Sequence, residues 1–375
     1  MHDGSGRSFN KQTLRQIVRT SVGGRFARIH ISNEFGTQPL IIDDVHIAFR
    51  DTGSTIVAGT DRQFQFAGLP SVTIAPGATV VSDSLRVQIE PLSDVAISMY
   101  FPMPTGPATY HPVGFQTNYI ASGDVSGDTG LSDVEMTECY YFLTNLDIQN
   151  KAASGSIVAL GASITDGYAS APDSNRRWPN DLAKRLARAR LKIGVLNEGI
   201  SGNRLLIEGA GESAETRFDR DVLGQPGVHW VIFSDDPIND LGSTRPPPSG
   251  DQLIEGIDRL ILRAHQKQIK FYCSTLTPYQ GAGYWTQKGE AAREQVNAFI
   301  RSSSSGCDGV IDQDAATHEP THPEQFLPAF DSGDHLHPNT AGLQAIANAV
   351  DLTLFLVPTG RDKDTCRETS GQCKH

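Results

Sequence analysis

Up to about position 150 the chain alternates apolar and polar residues with a period of two. Residues 27–32 (Ala-Arg-Ile-His-Ile-Ser) and 95–101 (Val-Ala-Ile-Ser-Met-Tyr-Phe) follow this pattern, and so do 72–74 and 85–89, which are split by the turn signal Ala75-Pro76-Gly77. Short alternating runs at this spacing, with no long helical period among them, predict an all-β, jelly-roll-like sandwich. Near Ile148 the pattern changes, and the polar, small-residue stretch 149–155 reads as a joint. Beyond it, continuous apolar runs at 156–161, 193–197, 228–234, 269–276 and 309–312 alternate with helical periods at 179–190, 251–266, 286–303 and 340–356. Trp178, Leu182 and Leu186 recur every four residues, Pro179 suits a first helical turn, and Asn339 suits an N-cap. Continuous strands alternating with helices predict a parallel sheet covered on both faces, with ligands bound beyond the carboxyl ends of its strands. The expected organisation is a sandwich over 1–150, an α/β domain over 151–358 and a polar tail over 359–375.

A chain of 375 residues accommodates two such domains. Its formal net charge of −11 argues against a nucleic-acid partner and against adhesion to anionic membranes. No apolar run approaches the roughly 20 residues of a membrane span. Residues 1–6 (Met-His-Asp-Gly-Ser-Gly) carry no secretory signal and read as a trimmed start. Of the five cysteines, Cys139, Cys273 and Cys307 are expected as single thiols, with Cys273 inert in a buried strand. Cys366 and Cys373 are close enough to close a small loop, which fits an oxidising compartment and an exported protein.

Two distant segments carry the chemistry. Gly161-Ala162-Ser163-Ile164-Thr165-Asp166-Gly167 puts a serine where a buried strand gives way to a loop. Serine is a weak nucleophile that needs a base within hydrogen-bond reach. Asp334-x-x-His337-Pro338 supplies an imidazole, with a carboxylate that can fix its tautomer. Oxyanion donors are expected from the Ser163 N–H, from Gly202 after the second parallel strand, and from the Asn239 amide after the third. Two other patterns compete. His318-Glu319-Pro320-Thr321-His322 spells the zinc-protease motif, but that chemistry needs a helix, which Pro320 and Pro323 oppose. A metallophosphoesterase reading of Asp331, Asp334, His335 and His337 lacks a matching cluster at the other strand ends.

The four segments resemble, in order, the four blocks of the SGNH (GDSL-type) hydrolase superfamily. Ser163 matches the nucleophile block, Gly202 the second, Asn239 the third and Asp334-x-x-His337 the last. Residues 13–21 (Thr-Leu-Arg-Gln-Ile-Val-Arg-Thr-Ser), Arg177-Trp178-Pro179 and 217–221 (Arg-Phe-Asp-Arg-Asp) are similar to a bacterial branch in which a β-sandwich precedes the hydrolase. The resemblance implies a flavodoxin-like three-layer α/β/α domain. It also implies hydrolysis of acetyl, aryl or other short-chain esters, acetylated carbohydrates among them, through an acyl-serine without metal or cofactor. The chain departs from the family pattern at Ala162, where an aspartate is usual, and at Pro237, where a glycine is usual. These departures motivate an alternative, a carbohydrate-binding protein with a degenerate hydrolase domain. Asp235 and Asp236, which precede Pro237, are expected to favour the charged form of His337.

Overall fold

The computed structural model describes residues 6–356. Cys366 and Cys373 lie outside this range.

The first half packs two antiparallel sheets face to face. One runs in the order Glu135–Thr137, Asn118–Ser122, Gln12–Arg19, Asp94–Phe101, Leu40–Phe49, Arg62–Gln63, with Val72–Ile74 also paired to Leu40–Phe49. The other places Gly24–Ser32 between Leu143–Gln149 and the short strands Thr79–Val81 and Leu85–Ile89. The period-two pattern accounts for the packing. Ala27, Ile29 and Ile31 turn inward to meet Val45, Ile47, Ile97 and Met99, while Arg25 and Arg28 stay exposed. The strand Gln12–Arg19 breaks the alternation, because Arg15 and Gln16 are buried as well. Each is paid for by hydrogen bonds, as burial of polar groups requires. Arg15 Nε donates to Ser98 Oγ at 2.8 Å and its Nη2 to the Asp128 carbonyl at 2.7 Å. The Gln16 amide exchanges two bonds with the Tyr141 backbone.

The second half is built on a five-stranded parallel sheet in the order Ile193–Gly199, Gly155–Gly161, Val228–Phe233, Lys270–Ser274, Gly309–Ile311. By chain order this is 2-1-3-4-5, the flavodoxin-like arrangement. Both faces are covered. Val158, Leu160, Val231 and Phe233 meet Leu253, Ile257 and Leu260 of the helix Gly250–Gln266 and Val296 and Ile300 of the helix Gln287–Arg301. On the opposite face, Ile157, Ala159 and Ile232 meet Trp178, Leu182 and Leu186 of the helix Trp178–Arg188, and Leu343 and Ile346 of the helix Thr340–Ala349. The strands read as unbroken apolar runs because alternate residues enter different cores.

Three expectations are corrected. Cys273 and Cys307 are joined by a disulfide that links the end of the loop leading into the last strand to the fourth strand; the two are 34 residues apart, too far for spacing to suggest it. The helix expected over 340–356 stops at Ala349, because the Asp351 side chain accepts the Thr353 N–H and starts a separate 3-10 turn, Leu352–Phe355. The segment after the third strand, read as a loop, is the helix Asp236–Ser243.

The halves meet along the strand Ile193–Gly199, whose partner within the sheet is Gly155–Gly161. On its other side, the Val195 N–H donates to Ser21 Oγ at 2.9 Å. Elsewhere in the seam the Asn145 amide donates to Gln225 Oε1 at 2.6 Å, and Thr117 bonds Asp173 through both its backbone N–H and its hydroxyl. No helix among the described residues is long and apolar enough to cross a membrane.

Candidate active site

The sheet order changes direction between the first and third strands, the place where sheets of this kind bind ligands beyond the carboxyl ends of their strands. The strand Gly155–Gly161 leads through Ala162 into a single helical turn, Ser163–Asp166, closed by Gly167. Ser163 is the first residue of that turn, where N–H groups lack intrahelical acceptors. Ala162 is buried and offers no side-chain cap. The cap comes from Asp235 at the end of the third strand: its Oδ2 accepts the Ile164 N–H at 2.7 Å and its Oδ1 the Thr165 hydroxyl at 2.6 Å. The second strand ends against the same turn, and a Cβ on Gly199 would come within 2.2 Å of the Asp166 nitrogen.

Asp334 and His337 arrive on the loop before the last helix. Nε2 of His337 lies 2.9 Å from Ser163 Oγ, and Nδ1 lies 2.6 Å from Asp334 Oδ2. The other Asp334 oxygen accepts the N–H groups of Leu336 and His337 and the Ser332 hydroxyl. Burial pushes the Asp334 carboxyl up, but the His337 ring and these backbone donors outweigh it and hold the group down at about 2. A carboxylate that stays charged on one side of an imidazole, with a hydroxyl on the other, leaves the second ring nitrogen free to take that hydroxyl's proton. Ser163 and His337 retain only 8% and 9% of their exposure. His335 faces elsewhere, its Nδ1 2.5 Å from Asp331 Oδ2.

Gly202 sits in a turn with φ +81°, a conformation that suits glycine. Among the described residues, the N–H groups of Ser163 and Gly202 meet no acceptor. Asn239 lies one turn into the helix Asp236–Ser243. Its Nδ2 donates to the Asn203 carbonyl at 2.9 Å, next to Gly202, and its Oδ1 accepts the Tyr284 hydroxyl at 3.1 Å. The phenol fixes which end of the amide faces the Gly202 turn. Pro237 fits because it stands in the first turn of a helix, where no N–H is needed and its fixed φ is helical.

Asp235 and Asp236 engage partners other than the imidazole. Asp235 caps the Ser163 turn, and Asp236 is fully buried 3.7 Å from Arg217. Arg217, itself without exposure, donates to the carbonyls of Gly161 and Glu198 at two strand ends and to Asn203 Oδ1. The zinc-motif letters fold as an antiparallel hairpin, with Glu319 opposite His322, so the two histidines share no helical face.

The sequence did not point to the aromatic wall. The Tyr168 ring lies 4.1 Å from the His337 ring, tilted by 38°, and Phe115 of the sandwich meets Tyr168 edge-on at 6.0 Å. Two cavities of about 420 and 750 Å³ occupy the seam between the halves, and neither is lined by Ser163, Asp334 or His337.

A profile of the GDSL-like lipase/acylhydrolase family matches residues 159–345, from inside the first parallel strand to the last helix. That stretch of the chain is a GDSL-like lipase/acylhydrolase domain. No curated protein matches it. Solved structures similar to this GDSL-like hydrolase include an α/β hydrolase from the metagenome of Lake Arreo, Spain (24% identity, 54% of this chain and 96% of that one, TM-score 0.41). Others are a catalytic mutant of an acetylxylan esterase from Geobacillus stearothermophilus (20%, 54% and 94%, TM-score 0.41) and a carbohydrate acetylesterase from Sinorhizobium meliloti (14%, 52% and 95%, TM-score 0.42). All three align with about half of this GDSL-like hydrolase.

Proposed function

We propose that this GDSL-like hydrolase is a serine esterase acting on short-chain carboxylic esters, acetyl and aryl esters and acetylated carbohydrates among them. The observation that carries the reading is the unbroken chain Asp334–His337–Ser163, with contacts of 2.6 and 2.9 Å. Ser163 Oγ attacks the ester carbonyl as His337 Nε2 takes its proton. The tetrahedral oxyanion is held by the Ser163 and Gly202 N–H groups and the remaining N–H of the Asn239 amide. Collapse expels the alcohol, which takes the proton from His337 and leaves an acyl-serine. Water, deprotonated by the same imidazole, then releases the acid and restores the serine. Asp334 holds the ring and stabilises its cationic state. The Cys273–Cys307 bridge supports a place outside the reducing cytosol.

The test is hydrolysis of p-nitrophenyl esters from acetate to long acyl chains by the wild type and Ser163→Ala. Turnover is expected to be fastest with acetate or butyrate and to vanish in the variant, whose circular dichroism stays native. An undiminished rate in Ser163→Ala would overturn the assignment.

A further inference from the structure

We infer that the β-sandwich is part of the catalytic apparatus, with His111 positioning the oxyanion side of the site through Asp166. The inference rests on the esterase reading above. His111 belongs to the sandwich strand Tyr110–His111, paired with Tyr140–Tyr141. Its Nε2 lies 2.9 Å from Asp166 Oδ1. Asp166 closes the nucleophile turn, its own N–H bonded to the Ala162 carbonyl at 2.8 Å. Its second oxygen accepts both the N–H and the hydroxyl of Ser201, at 3.1 and 2.6 Å. Ser201 immediately precedes Gly202. One buried carboxylate therefore ties the turn that carries Ser163 to the turn that carries Gly202, and the sandwich holds its remaining oxygen.

The bond matters because the two N–H donors must converge on one point. Displacements of about 1 Å at such a site can cost on the order of 10²-fold in rate. Without His111, Asp166 Oδ1 has lost its partner in a buried setting, and rotation to find another would carry the first oxygen away from Ser201. The same sandwich region supports the opposite side of Ser163, where Phe115 backs Tyr168 against the His337 ring. Arg177 also donates to the Gly114 carbonyl, which anchors that segment to the hydrolase half.

The experiment compares kcat and KM on p-nitrophenyl acetate for the full chain and its variants, well below their melting temperatures. His111→Ala is expected to lower kcat about 10- to 100-fold with KM changed less than about threefold. His111→Gln, which keeps a polar nitrogen at similar reach, is expected to recover most of the rate. His111→Phe keeps the ring's bulk without a hydrogen bond and is expected to behave like alanine. If alanine fails to fold, the glutamine and phenylalanine variants alone decide. A wild-type kcat in His111→Ala or His111→Phe overturns the inference, since packing would then suffice. Ser163→Ala, assayed alongside, separates the two claims: if it stays active, the esterase reading itself falls.

Discussion

The Ser163 turn has an alanine at its N-cap, a residue with no side-chain acceptor, and Asp235 supplies that acceptor from the third strand. This is why Ala162 does not by itself mark a degenerate site, and why the Asp235 carboxylate is bonded to that turn and not to the imidazole. The imidazole is bonded to Asp334, which in the proposed triad serves the base. In Asp334→Asn the carboxamide can present its N–H₂ to Nδ1 and favour the wrong tautomer. We expect kcat on p-nitrophenyl acetate to fall by roughly 10³–10⁴ with a native circular dichroism spectrum. The residues of the proposed triad and oxyanion site were legible because each sits in a short contiguous motif at a strand end or helix start. Asp235, Tyr284, His111 and Phe115 were not, because their roles exist only through contacts with distant segments; Asp235 reaches Ile164 across 71 positions. Arg217 and Asp166 lay within noted motifs, but nothing in those motifs said which carbonyls or hydroxyls they would meet.

At the level of elements, strand and helix periods located the parallel sheet and three of its four long helices to within a few residues, the last helix ending seven residues early. What failed was short or interrupted. The helix Asp236–Ser243 has eight residues, opens with an aspartate and a proline and contains a glycine, so its pattern was that of a loop. Its geometry makes Pro237 a stabilising residue rather than a defect. Pro237→Gly is expected to lower stability by about 1 kcal/mol, through greater freedom of the unfolded chain. Because Asn239 is held by Asn203 and Tyr284, kcat should stay within about threefold. Urea unfolding and ester kinetics on the same variant check both halves of the prediction.

Across the whole molecule, two buried acids, Asp236 and Asp240, and the half-buried Glu198 gather near the carboxyl ends of the parallel strands. Burial, reinforced by Asp235 and Asp240 against the pull of Arg217, pushes Asp236 up to about 7. Burial pushes Asp240 to about 7, and burial with the neighbouring Asp221 pushes Glu198 to about 8. In the unfolded chain an aspartate loses its proton near about 4. Between there and about 7 the folded state therefore binds more protons than the unfolded one, and stability falls as pH rises. Asp236→Asn removes one such group. Its melting temperature relative to wild type is expected to rise from pH 4 to about pH 7 and then level off, as thermal melts across that range will show. The division near Ile148 that the sequence makes so visible is also less complete than it looks. The strand Ile193–Gly199 borders the parallel sheet, and an open border of this kind offers N–H and C=O groups to any passing strand. The sandwich lies along it and takes up one of these donors, the Ser21 hydroxyl accepting the Val195 N–H. A hydrolase fragment cut at the joint would keep every residue of the proposed triad yet lose the contact that covers part of this edge, and self-association is expected of such a fragment.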